Sequence, residues 1–236
     1  MRTPICDRLG CEVAAIPSAG LDPELFVART AADERPIDIG YRAYDSPVYL
    51  GHDERAQLAR CFTEAAACHG LRADISLDPA DRFDEAGWAA FLDRCRGQLG
   101  SEAGADFFEL TDETRTRVWE WVEQNAGATG EDVLQKFFSE PLAAVSGRAL
   151  SGRVVEAAGT KTVQLLLEGE YGGYFRPGEH YIAVDKDFGN VEEALAAFDD
   201  RAHSARLAEA AYEVAAAELT YERLIDRFHA ALAGVL

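Results

Sequence analysis

The residues best placed to do chemistry lie between positions 146 and 180, in SGRALSGRVVEAAGTKTVQLLLEGEYGGYFRPGEH. Arg148, Ser151 and Arg153 crowd the start of a short Ala-rich helix that carries Glu156. A Gly159-Thr160-Lys161 turn follows, then the non-alternating run 162–167 and a Gly-rich loop, Tyr171-Gly172-Gly173-Tyr174. In that order the stretch reads as a helix N-terminus aimed at a ligand, a tight turn into a buried strand, and a loop beyond the strand's carboxyl end. Ligand sites on open α/β sheets are built this way.

The elements that would position these residues are legible on either side. Ile37, Ile39 and Tyr41 alternate in a first strand, and apolar residues at 71, 73, 75 and 77 mark a second with one wetter face. Leu58, Cys61, Phe62 and Ala65 repeat at helical spacing before Gly70, a C-terminal stop. Asp84 caps a helix with Trp88, Phe91, Leu92 and Cys95 on one stripe, and a short strand follows over 97–100. Strands over 162–167 and 180–184 and helices over 191–199, 203–218 and 221–235 complete the pattern. Strand alternating with helix implies right-handed crossovers and a parallel sheet.

Two segments depart from that rhythm. Residues 1–34 offer turn after turn with little to pack, apart from one short strand over 11–16. Residues 105–145 predict two helices with Thr111 and Thr129 as N-caps, the second with Asp132 completing a capping box. Phe107, Phe108, Trp119, Trp121, Phe137 and Phe138 concentrate there. They predict either a hairpin packed on the sheet edge or a surface for a partner.

Composition narrows the function classes. With 236 residues, 48% of them hydrophobic, the chain can bury one substantial core. A net charge of -19 argues against a nucleic-acid or anionic-membrane partner, because either needs a basic face to displace counterions. No apolar run approaches the length of a membrane span. Five cysteines without CxxC pairing suggest free thiols, three of them in helix or strand interiors. With no basic-then-apolar leader, a reduced, cytoplasmic compartment is the default. The histidines are scattered and no DxD occurs, so no metal site is expected.

Several stretches, in order, resemble the donor-binding half of GT-B glycosyltransferases, of the group-1, spore-maturation-like type. VAAIPSAGLDPELF is similar to the connection that leaves the first domain of those enzymes, and IDIGYRA to the first strand of their second domain. SGRVVEAAGTKTV resembles their Arg-x-x-Glu signature with its Gly-Thr turn, and GEHYIAVDKDFGNVEEALAAFDD their tail. The resemblance implies an α/β fold: a Rossmann-like parallel sheet of about five to six strands flanked by helices, over 35–236, with a helical insertion at 105–145, C-terminal helices, and 1–34 as an interdomain connection.

It also implies transfer of a sugar from a nucleotide-diphosphate donor to an unknown acceptor, with no required cofactor. By matching position Glu156 accepts hydrogen bonds from the donor ribose; its alternative is a Glu that merely favours the helix macrodipole. Glu102 contacts the donor sugar or is an ordinary loop acid. The family's spacing between its two Glu lands instead on Arg148. Arg42 would neutralise diphosphate, although the usual Lys that follows is absent and only His52 and Arg55 are near. Lys161 is catalytic or a solvated turn residue. Arg153, Ser151, Gly159 and Thr160 complete the phosphate end, and backbone N–H groups of Tyr171, Gly172 and Gly173 reach phosphate or sugar. The other wall of the cleft would come from a separate N-terminal-type domain, or from a homo-oligomer. A non-catalytic nucleotide-binding or interaction module, and an unrelated flavodoxin-like domain, remain open.

Overall fold

The computed structural model describes residues 15–140 and 146–234. The proposed strand over 11–16, Cys6, Cys11 and Val235 lie wholly or partly outside the described residues. Five parallel strands form one sheet: β1 (Ile37–Arg42), β2 (Ala73–Ser76), β3 (Cys95–Gly100), β4 (Val163–Leu167) and β5 (Ile182–Val184). Their order is β2-β1-β3-β4-β5, so the chain reverses its direction of travel between β1 and β3. β2 is a half-exposed edge strand in which Ile75 packs on the core while Ala73, expected on the same face, is exposed. β4 is buried along its whole length, as a strand covered on both faces must be.

Helices α1 (Glu54–His69), α2 (Glu85–Arg94), α5 (Gly152–Gly159), α6 (Val191–Asp199), α7 (Arg201–Glu218) and α8 (Tyr221–Ala233) accompany the sheet. Local signals account for their ends. Gly70 closes α1 with φ 65°, and the Asp84 side chain accepts the Gly87 N–H at 2.8 Å to open α2. One apolar cluster joins Leu92, Val154, Ala158 and Leu166; another joins Ile39, Phe62, Leu165 and Phe198.

Four other expectations change. Residues 17–26 are not poorly packed: Leu21 is fully buried, pairs by backbone with Leu219 and Tyr221, and joins Phe26 against α5. The insertion helices α3 (Glu113–Gln124) and α4 (Gly130–Phe137) rest chiefly on the turn Val48–Leu50 and on each other, with Trp119 still 44% exposed. Thr129 forms the capping box with Asp132, but the other cap falls on Asp112 rather than Thr111. Of the described cysteines only Cys95 is buried, its thiol pushed up to about 12 by burial, whereas Cys61 is half-buried and Cys68 exposed.

Along α8 the stripe Tyr221, Ile225, Phe228 and Leu232 is about half exposed, so only Leu224 and its neighbours seat the helix. No helix among the described residues is long and apolar enough to cross a membrane.

Candidate functional site

A cavity of about 600 Å³ opens at the carboxyl ends of β1 and β3, where the strand order reverses. In an open parallel sheet this is the place where loops diverge and leave a crevice. Arg42 to Tyr44 leave β1 along one side, Ser101 to Ala103 leave β3 along another, and Ser151 to Val154 bring the N-terminus of α5 to the rim. The Ser151 side chain makes no cap bond, so it leaves the first turn of α5 open.

Glu156 lies one helical turn below that rim. Its Oε2 accepts the Trp88 Nε1–H at 2.7 Å. Its Oε1 lies 3.6 Å from where a side chain at Gly152 would begin, so it faces the first turn of its own helix. Burial raises the Glu156 carboxyl above its ordinary range, opposed by the Trp88 N–H and by Arg153. Arg153 is half-buried over the Trp88 ring at 5.4 Å and donates to the Arg42 carbonyl; desolvation draws its guanidinium down. These two side chains, expected together, do share the cavity.

Glu102 also lines it, but its Oε1 is turned away to accept the Tyr171 N–H at 2.7 Å. Arg42 stands at the end of β1 with its charge already answered: Nη2 reaches Asp74 Oδ1 at 2.6 Å, and the guanidinium sits 4.7 Å from the Phe91 ring.

The remaining expected residues do not join the cavity. Arg148 forks onto Glu54 at 2.7 Å through both terminal nitrogens and also binds Asp106, tying the insertion's base to α1. The backbone N–H of Tyr171 is spent on Glu102 and that of Gly173 on the Glu170 carbonyl, so this loop holds itself. Tyr171 is fully buried, and φ of 64° and 78° explains the need for Gly172 and Gly173.

Gly159, Thr160 and Lys161 lie at the far end of α5. An eight-residue helix spans about 12 Å, and Gly159 and Lys161 line a different cavity from the one its first turn faces. Thr160 is fully buried against Thr162, and Lys161 pairs with Glu209 at 2.7 Å over the Tyr212 ring. Gly159 is required by packing: a Cβ there would stand 2.4 Å from Leu21 Cδ1 and 3.0 Å from the Phe26 carbonyl. Gly159→Ala should therefore cost about 1–3 kcal/mol. Denaturant titration should show that loss with ligand binding at the cavity unchanged.

Three further residues contribute, of which the sequence marked only Arg55, as a basic residue near the place of the missing Lys. Arg55, second residue of α1, lines the cavity with Nη1 lacking a partner among the described residues. Its guanidinium lies 4.3 Å from the Tyr44 ring, and its closeness to the phenol holds Tyr44 below its ordinary value. Gln98 and Gln164 occupy facing positions on β3 and β4, 2% and 1% exposed, and neither amide has a hydrogen-bond partner among the described residues. They form the cavity's floor. Gln98 in β3, which also carries Arg96, and Gln164 among the Val and Leu of β4 are the sequence signal they give. Among the described residues no three His, Cys, Asp or Glu side chains group as metal ligands would.

No family model matches the sequence, and no curated protein matches it. The fold does have solved relatives. Sucrose-phosphate synthase of Thermosynechococcus elongatus superposes with a TM-score of 0.51 at 13% identity, over 98% of this chain and 56% of that one. Anabaena HepE, solved in complex with UDP-glucose, superposes with a TM-score of 0.51 at 10% identity, over 91% of this chain and 56% of that one. At such identity the likeness establishes the fold alone, a GT-B glycosyltransferase-like arrangement. The chain spans a little over half the length of each.

Proposed function

We propose that the cavity binds the nucleoside diphosphate of a sugar donor, and that this chain forms the donor-binding half of a glycosyltransferase. One observation carries the reading: Glu156 sits one turn below an uncapped helix N-terminus, at the point where the strand order reverses, with one carboxylate oxygen turned toward that N-terminus. A diphosphate at the rim would meet the first N–H groups of α5 together with Arg153 and Arg55. Arg55 supplies the second cation whose absence after Arg42 the sequence suggested. Ribose hydroxyls would then lie beside Glu156, about 6 Å deeper along the helix. Gln98 stands two residues before the end of β3, about 7 Å below its carboxyl end. The base would therefore lie toward the floor made by Gln98 and Gln164.

Rim to floor, the groups follow the order of the ligand: phosphate, ribose, base. The leaving diphosphate gains charge as the sugar bond breaks, and fixed N–H groups and cations stabilise that charge. HepE, similar in fold, was solved with UDP-glucose, which is consistent with this ligand class. The acceptor would bind against a second wall contributed by another domain or subunit.

Isothermal titration with UDP, GDP and ADP tests the reading. At least one should bind saturably, and Arg55→Ala should weaken it by about tenfold or more, the loss of one charge-assisted contact. The absence of binding by all of them would sink the proposal.

A further inference from the structure

A second cavity, about 810 Å³, opens at the opposite end of the sheet, where β3 and β4 begin. It shares only Phe26 with the first. Phe26, Val27, Ala31, Val163 and Ala208 give it an apolar wall. Its charged lining is Arg29, Arg35, Arg96, Lys161 and Arg201 against Asp33 and Glu209, a local excess of cations in a chain of net charge -19.

Two of these cations are already answered. Arg35 donates to the carbonyls of Thr30, Cys95 and Thr160 and to Thr162 Oγ1, and Lys161 holds Glu209. Arg96 is different. It is 3% exposed, and none of its three guanidinium nitrogens has a hydrogen-bond partner among the described residues. Its ring neighbour is Phe198, at 4.1 Å. The nearest acid, Asp38, is 3.7 Å away, and both Asp38 oxygens already accept from Arg72. Arg201, the first residue of α7, also acts on Asp38 and has no ion pair among the described residues. Arg72 and Arg96 therefore share one carboxylate, to which Arg201 adds only a longer-range pull. A buried guanidinium with no hydrogen bond and only a shared carboxylate at 3.7 Å is costly, so an anion arriving here has much to offset.

We propose that this cavity binds a small organic carboxylate with an apolar body. Its carboxylate would meet Arg96 and Arg201, whose planar forks match that group, and its hydrocarbon part would lie on the wall from Phe26 to Val163. A fully hydrated oxyanion fits less well, because the apolar wall would go unused. The N-terminus of α7 offers it little either: the Asp200 side chain already accepts the His203 N–H at 2.9 Å.

Titration calorimetry with phenylacetate and octanoate, and with inorganic phosphate as the apolar-free control, tests this without any nucleotide. The expected result is saturable one-to-one binding of a carboxylate probe, weakened about tenfold or more by Arg96→Met and by Arg201→Ala. Glu156→Gln should leave it unchanged, so this proposal and the donor reading fail independently. Arg201 is exposed, and its substitution stays informative if Arg96→Met does not fold. The proposal is overturned by no saturable heat from either carboxylate up to about 10 mM, weaker than any useful single-site affinity. Binding that survives Arg201→Ala, or phosphate binding as tightly as the carboxylates, would overturn it equally.

Discussion

Glu156→Gln is expected to leave the chain folded, to stabilise it near neutral pH, and to weaken nucleoside diphosphate binding by about tenfold to a hundredfold. The stability half follows from proton linkage. Burial raises the Glu156 carboxyl above its ordinary value of 4.5, so between that value and the raised one the folded chain holds a proton that the unfolded chain has released. Stability contributed by this group accordingly falls as pH rises through that window, and the penalty is complete above the folded value. Gln cannot ionise and escapes it. Urea titrations of both proteins at pH 4 and pH 7 should show an advantage for the variant at the higher pH alone.

The binding half has the opposite dependence. Ribose hydroxyls donate to the ionised carboxylate, so the nucleotide favours the deprotonated form and its binding should release a proton. Affinity should then fall as pH is lowered through the raised Glu156 value. Calorimetry in buffers of different ionisation enthalpy reads that proton directly. If Glu156→Gln binds nucleotide as tightly as the parent, the carboxylate is not the ribose acceptor.

The largest loss of stability is expected at Arg35. Its guanidinium is 2% exposed and ties together three parts of the fold: the connection at Thr30, the start of β3 at Cys95, and the turn from α5 to β4 at Thr160 and Thr162. Asp93 lies 3.9 Å away and separately anchors the backbone of Arg29 and Thr30. Arg35→Met would strand buried carbonyls and leave Asp93 without its nearest cation. A cost of about 3–5 kcal/mol is expected, as for breaking a buried charged network. In a chain of this length it lowers the melting temperature by roughly 6–20 °C. Arg35→Lys keeps the charge but cannot reach all four acceptors and should fall between. A loss below about 1 kcal/mol for the Met variant would show that the connection does not depend on this junction.

Five strands and their parallel sense, the capping box at Thr129, and the pairing of Arg153 with Glu156 near a helix start were all readable from residue order. Each rests on neighbours in sequence: alternation along a strand, a cap three residues from its amide, two side chains one turn apart. The tertiary structure decided which of the nearby polar residues face one another. Lys161 follows Glu156 by five positions, yet α5 and its turn carry the two into different cavities. Arg42 is quenched by Asp74 because β1 and β2 pair in a particular register, while Arg55, left without a partner at Nη1, enters the cavity from the next helix. Gln98 and Gln164 become one floor only because β3 pairs with β4. Strand order and register are set by burial across the whole sheet, and no local spacing encodes them.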